Sequence, residues 1–276
     1  MQKKRNIIYA AIAVVCIIAL IAILRSFNAD HTGKYHPRSY QDIINSGIIH
    51  ATTEYNSIGF HVENDTIAGF HYELIQEFAK SKGLKVQITP SMSLQEQIEG
   101  LNTGKYDIIA SSMLITTEQK DSVLLFTQPI LHNRQILVQR KPSGDTDSTY
   151  IKDILELGKK TVYIPQGSPA YYRIQNLATE IADTIYIKEI PKYSTEQLMS
   201  LVAHSDIDYA ICEESIAKGI ISQYPQLDIN TAISFNQFYG WGVNKESAEL
   251  RDSINLWLEK YMQTKDFSRL TNRYFK

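Results

Sequence analysis

Two segments of this chain follow one pattern, and that repetition narrows the folds open to it. Ser93-Leu-Gln-Glu-Gln-Ile-Glu-Gly-Leu-Asn-Thr-Gly-Lys-Tyr-Asp107 runs on into Ile-Ile-Ala-Ser-Ser112, and Ser194-Thr-Glu-Gln-Leu-Met-Ser-Leu-Val-Ala-His-Ser-Asp-Ile-Asp208 into Tyr-Ala-Ile-Cys-Glu213. Each opens with Ser followed three residues later by Glu96 or Gln197, the signature of a capping box at a helix start. Apolar residues then recur at helical spacing: Ile98 and Leu101 in the first, Leu198, Leu201 and Val202 in the second. A polar cluster and a short apolar strand follow, and the interval from Ser to Asp is the same in both. Two units in one register predict two lobes of one design.

The surroundings alternate strand and helix. Ile48–Thr52 is a predicted strand, Tyr72–Ser81 a helix with Leu74, Ile75, Phe78 and Ala79 on one face and Gly83 at its end, and Lys85–Thr89 a strand. In the second half Thr161–Ile164 reads as a strand and Pro169 to Thr179 as a helix. This order predicts an α/β protein with a mainly parallel sheet in each half. Lys141–Tyr150, with its Pro, Gly, Asp, Ser and Thr, is the expected linker between the halves.

Ahead of the repeats, Ile7 to Leu24 form an unbroken apolar run about long enough to cross a membrane as a helix. Lys3, Lys4 and Arg5 precede it and Arg25 alone follows, which places the N-terminus in the cytoplasm and the body outside it. A cleaved secretory signal is the competing reading, with a lipoprotein signal at Cys16 behind it. The length of the run, and the poor cleavage site at Phe27 and Ala29, favour an uncleaved anchor in the inner membrane. The formal net charge is −2, and every charged residue among the first 25 is cationic, so the exported part is more acidic than the whole. Nothing there invites nucleic acid. Cys16 and Cys212 are the two cysteines, one in the apolar run and one in an apolar segment, so no internal disulfide is expected.

Ligands of open α/β sheets bind beyond the carboxyl ends of the parallel strands. Those ends are Ala51–Tyr55, Ser111–Thr116, Gln166–Tyr171 and Cys212–Ser215. In Gln166-Gly167-Ser168-Pro169, Gly permits close backbone approach, Ser168 suits a helix cap and Pro169 the first helical position. Such a terminus attracts an anion, or is simply a well-capped helix. Tyr55 and Tyr171, each just after a strand, are the aromatics expected to face the cleft. Glu213 holds in the second repeat the place of Ser112 in the first, with a helix-start role as the alternative.

Gly69-Phe-His-Tyr-Glu-Leu74 with Phe78-Ala79, Gly104-Lys-Tyr-Asp107, Ile115-Thr-Thr-Glu118, Phe126-Thr-Gln-Pro129, Thr161-Val-Tyr-Ile-Pro-Gln-Gly-Ser168 and Leu270-Thr-Asn-Arg-Tyr-Phe275 occur in order along the chain. Together they resemble the family 3 bacterial solute-binding proteins, and among these the non-catalytic N-terminal domain of membrane-bound lytic transglycosylases of the F type. The resemblance implies a type II periplasmic-binding-protein fold: a two-lobed clamp on a hinge, preceded here by one transmembrane helix. Residues 1–34 would be anchor and linker, 35–138 with 243–276 the first lobe, and 139–242 the second. The crossings would fall near Gln135–Arg140 and Tyr239–Asn244. In amino-acid-binding members an Arg grips the ligand carboxylate and a late acid its ammonium group. The late acid matches Glu213, beside Glu214. The Arg is missing from Thr116-Thr-Glu-Gln119-Lys120, where Lys120 offers a point charge without the bidentate fork.

The expected site is therefore Tyr55, Ser112, Thr116, Lys120, Ser168, Tyr171 and Glu213. The expected function is capture of a small polar solute (amino acid, small peptide or murein fragment) by lobe closure, for transport or sensing, with a membrane permease or a cell-wall component as partner. No cofactor is expected, and the scattered His residues offer no metal set. The alternative is an enzyme on the same fold. One form is dehydratase-like, with Glu213 and His71 as proton-transfer groups; the other is a transglycosylase relative without its catalytic domain. Glu214-Ser215 and Glu246-Ser247 copy a catalytic dipeptide without the accompanying motif.

Overall fold

A computed structural model describes residues 36–115, 124–144 and 147–275. Among them no helix is long and apolar enough to cross a membrane. The expected anchor and linker at 1–34 lie outside the described residues, as do Thr116 and Lys120 of the expected site.

From Pro37 onward the chain forms one compact unit built on two sheets. Helix α1 (Tyr40–Ser46) leads into strand β1 (Ile48–Thr53), a small hairpin of β2 (His61–Glu63) and β3 (Thr66–Ala68), helix α2 (Phe70–Ser81) and strand β4 (Lys85–Pro90). The first repeat supplies α3 (Leu94–Asn102) and β5 (Ile108–Leu114), followed by β6 (Leu124–Phe126), β7 (Leu131–Asn133) and β8 (Gln135–Arg140). Next come β9 (Thr161–Pro165), α4 (Ala170–Glu180) and β10 (Tyr186–Ile190). The second repeat supplies α5 (Thr195–Ala203) and β11 (Ala210–Glu213), then α6 (Glu214–Ile220) and β12 (Leu227–Asp228). The chain closes with β13 (Gln237–Asn244), α7 (Ala248–Tyr261) and α8 (Lys265–Tyr274).

The first sheet runs β4-β1-β5-β13-β6, with β7 also on β13; the second runs β10-β9-β11-β8-β12. In each, three strands are parallel, as expected: β1 with β4 and β5, and β9 with β10 and β11. Each also contains one long antiparallel strand, β13 against β5 and β8 against β11. The face of α2 buries Phe70, Leu74, Ile75, Phe78 and Ala79, each large apolar side chain contributing about 1.5–3 kcal/mol. Gly69 makes this docking possible. Its φ of +138° belongs to glycine, and a Cβ there would strike the backbone carbonyl of Gly59.

The capping box is complete only in the second repeat. Ser194 Oγ accepts from Gln197 N at 3.2 Å while Ser194 N donates to Gln197 Oε1 at 2.8 Å. In the first, Ser93 Oγ accepts from Glu96 N at 3.2 Å, but the Glu96 carboxylate takes the Ser91 hydroxyl at 3.0 Å instead of closing the box.

The boundary between lobes falls elsewhere than the composition suggested. Strand β8 already belongs to the second sheet, so residues 135–138 join the second lobe, and β13 places 237–242 in the first. The return crossing accordingly precedes Gln237 and does not lie within Tyr239–Asn244. The segment Lys141–Tyr150 is no linker either, since it follows β8 inside the second lobe. Its polar residues fold on Asp147, whose carboxylate accepts from the backbone and hydroxyl groups of Ser143 and Thr149. The true crossing runs through β7 and β8, where pairing to a sheet rather than turn chemistry fixes the chain.

Candidate functional site

The carboxyl ends of the parallel strands of both lobes meet at one cavity of about 100 Å³. Glu54, directly after β1, and Ser111 and Ser112 of β5 come from the first lobe; Gln166 to Pro169, after β9, and Glu213, closing β11, come from the second. Thr195, at the start of α5, Gln97 of α3 and Ser91, just after β4, complete the polar lining. Among the described lining residues there are two carboxylates and no basic side chain. A wider groove of about 610 Å³ adjoins it at Met92, with Tyr55, Glu196, Lys192 and Tyr224 on its walls.

Ser112, Ser168 and Glu213 are therefore brought together as expected. Tyr55, 44% exposed, borders the adjoining groove and not the cavity. Tyr171 does not face the cleft. It lies on the outer side of α4, where its hydroxyl accepts from Gln175 at 3.0 Å and its ring meets Tyr172 edge-on. One residue into a helix, the strand-end rule no longer sets direction; the helical rotation does. The α4 terminus is also less open to an anion than its sequence suggests, because the Gly167 amide already donates to the Glu189 carboxylate at 2.7 Å. Ser168 Oγ accepts from Ala170 N at 3.3 Å, and the helix proper begins one residue after Pro169.

The two adjacent acids divide their roles. Glu214 occupies the first turn of α6 and is neutralised there: Arg134 grips it with two bonds, at 3.0 and 2.8 Å, and Lys218 stands 3.0 Å away. These partners hold its carboxyl below the usual range. Glu213 turns instead to the cavity, with Asn133 Nδ2 at 3.3 Å as its donor. Burial pushes its carboxyl up to about 8, and the charge of Glu54 adds to the effect. Burial likewise pushes Glu54 up to about 7, helped by Glu196. Glu54 was missed in the sequence, although it obeys the strand-end rule better than its aromatic neighbour Tyr55.

His71 does not line the cavity. It is buried behind Ser112, with Nε2 2.8 Å from Ser112 Oγ and Nδ1 3.0 Å from the Trp241 indole nitrogen. Burial pushes it down to about 3, so the ring is neutral.

Two sheets of this topology, with polar groups from both at one cleft, define a solute-binding clamp of the type II periplasmic architecture. The chain belongs to the bacterial extracellular solute-binding proteins, family 3, whose sequence pattern matches residues 48–276. It is 28% identical over 269 residues to the membrane-bound lytic murein transglycosylase F of Aeromonas salmonicida, covering 94% of this chain and 50% of that protein. The same enzyme of Desulfosudis oleivorans is 28% identical over 232 residues, covering 83% of this chain and 49% of its own length. The chain thus spans about half the length of these curated relatives. Among solved structures, an ancestral arginine-binding protein bound to arginine superposes with a TM-score of 0.72 at 23% identity, over 83% of this chain and 99% of that one. An ancestral amino acid-binding protein described as a precursor of cyclohexadienyl dehydratase gives 0.72 at 21% identity, over 86% and 99%. These likenesses establish the fold.

Proposed function

We propose that this chain is a membrane-tethered extracytoplasmic solute-binding protein that captures a small polar solute by closing its lobes, for transport or sensing. The observation that carries the reading is the cavity itself, in which strand ends from both lobes each present serine hydroxyls and one carboxylate, Glu54 from the first and Glu213 from the second. A solute held by both sides stabilises the closed arrangement, and closure is thereby the signal a permease or a cell-wall partner reads. Amino acids head the candidate solutes, since structural neighbours carry arginine and glutamine; small peptides and murein fragments follow, given the relatives' names. The apolar run near the N-terminus supports tethering in the inner membrane.

A thermal-shift panel of amino acids, short peptides and muropeptides on the full chain tests this. A saturable rise in unfolding temperature with one class supports the reading, and no shift with any would sink it. The raised carboxyls of Glu54 and Glu213 favour one second reading, an enzyme using them as acids on the same solute. Chromatography of the solute after incubation separates the two, because a binder returns it unchanged.

A further inference from the structure

We infer that His71 is a positioning residue whose fixed tautomer turns the hydroxyl proton of Ser112 into the cleft, so that the solute must present a hydrogen-bond acceptor there. The inference rests on the cavity being the solute site. It begins with Trp241. An indole nitrogen only donates, so the imidazole Nδ1 that it meets at 3.0 Å must be the bare, accepting nitrogen. A neutral imidazole that accepts at Nδ1 carries its proton on Nε2. That nitrogen lies 2.8 Å from Ser112 Oγ, so the serine oxygen accepts. The opposite assignment would set two N–H groups against each other at Trp241. Ser112 keeps its own proton to give, and Ser112 is one of the residues lining the cavity.

Three elements are shaped to hold this chain of bonds. The pairing of β13 with β5 shifts register between Gly240 and Gly242, where Ala110, Ser111 and Ser112 of β5 stand opposite Trp241 alone, so the bulge lies on the strand that carries Ser112. Bulges re-aim a side chain, and this one takes in Ser112, opposite the fully buried indole that meets His71. The Trp241 amide donates to Thr127 Oγ1 at 3.0 Å. On the other side, Phe70 N donates to Ile58 O at 2.6 Å and seats the first turn of α2, which carries His71. Ser112, on β5, completes the line to the cavity. A histidine needed only for packing does not require this polarity at both nitrogens, nor a hydroxyl at the cleft end.

Nitrogen-15 NMR of the ring in the wild-type protein tests the tautomer without any solute. We expect His71 Nε2 protonated and Nδ1 unprotonated from pH 5 to 8; the reverse tautomer, or an imidazolium in that range, overturns the inference. Calorimetric titration with L-arginine as probe tests the consequence. Ser112→Ala and His71→Phe should each weaken it by about threefold to tenfold, the worth of one neutral hydrogen bond. His71→Gln, which offers one acceptor and one donor, should restore affinity to within about twofold of wild type. His71→Phe should cost nothing further in the Ser112→Ala background. Wild-type affinity in His71→Phe, or additive losses, overturns the inference. A wild-type protein that gives no heat with L-arginine counts against the amino-acid reading of the cavity, and the ring nitrogens then decide the inference alone.

Discussion

Glu54 and Glu213 stand at strand ends of opposite lobes on one cavity, where the charge of Glu54 helps to raise the titration of Glu213. Folded, they titrate at about 7 and about 8, against 4.5 for a free carboxyl. The folded state therefore holds more protons than the unfolded chain between those values, and stability falls as pH rises. Their contribution is fully present below about pH 4.5 and is lost by about pH 8. Glu54→Gln and Glu213→Gln should each flatten the pH dependence of the unfolding temperature. At pH 8 each should raise it by about 2–4 °C for every 1 kcal/mol recovered. A slope unchanged in both variants would sink the pairing.

A cationic solute placed between these acids should bind more tightly as pH rises through that window, because the empty pair holds a proton that the cation displaces. Calorimetry with L-arginine in two buffers of different ionisation enthalpy should detect proton release near pH 7. Equal heats in both buffers would show that the pair does not meet the cation.

Glu213→Gln and Glu214→Gln should behave oppositely. The first is expected to weaken cation binding by about 2 kcal/mol or more, since a desolvated charge loses its partner. The second leaves Arg134 without its bidentate carboxylate, both side chains being partly exposed. It should lower stability by about 1 kcal/mol while leaving affinity unchanged. Denaturant unfolding and calorimetry on the pair of variants check both halves.

The aspartates that close the two repeats are equivalent in sequence and unequal in the fold. Asp107 is buried, pairs with Arg38 and accepts His50 N at 2.7 Å; Asp208 pairs with Arg140 on the surface. Asp107→Ala should cost about 3 kcal/mol, because it strands a buried backbone donor and a partly buried guanidinium. Asp208→Ala should cost about 1 kcal/mol or less. Urea unfolding of the two variants measures the difference, and equal losses would contradict it.

That contrast marks how far the sequence could be read. Periodicity places an apolar face on α2 and a strand after each repeat, since burial of one face fixes both patterns. It is silent on which Asp is buried, because that depends on Arg38 arriving from a distant segment. The strand-end rule finds Ser112, Ser168 and Glu213, whose backbone carries them to the cavity. It fails for Tyr171, already inside a helix, and it passes over Glu54 in favour of an aromatic. The bonds of His71 were beyond it, for they form at a bulge of β5 opposite Trp241 that only strand pairing creates. The first crossing falls beside Gln135, as expected, but the linker was misplaced for a related reason: polar, turn-rich Lys141–Tyr150 looks like a boundary, yet the chain changes sheets in extended backbone.

Glu196 supplies a bond across the cleft mouth. Its Oε1 accepts the Ser57 amide of the first lobe at 2.8 Å from the first turn of α5 in the second. The bond is charge-assisted, of a kind worth about 1.5–3 kcal/mol before solvent screening, and it favours the closed arrangement. The same carboxylate helps to hold Glu54 above its ordinary value. Glu196→Ala should therefore act in two places. Small-angle scattering should show a larger radius of gyration, and hydrogen exchange at the Ser57 amide should speed up by about tenfold, the equivalent of about 1.4 kcal/mol. The titration of Glu54 should move down at the same time. Glu196→Gln keeps an acceptor for Ser57 but not the charge, so it should reproduce the shift at Glu54 with little change in shape. If Glu196→Ala leaves both the scattering profile and the Ser57 exchange rate as they are, the contact does not hold the lobes together.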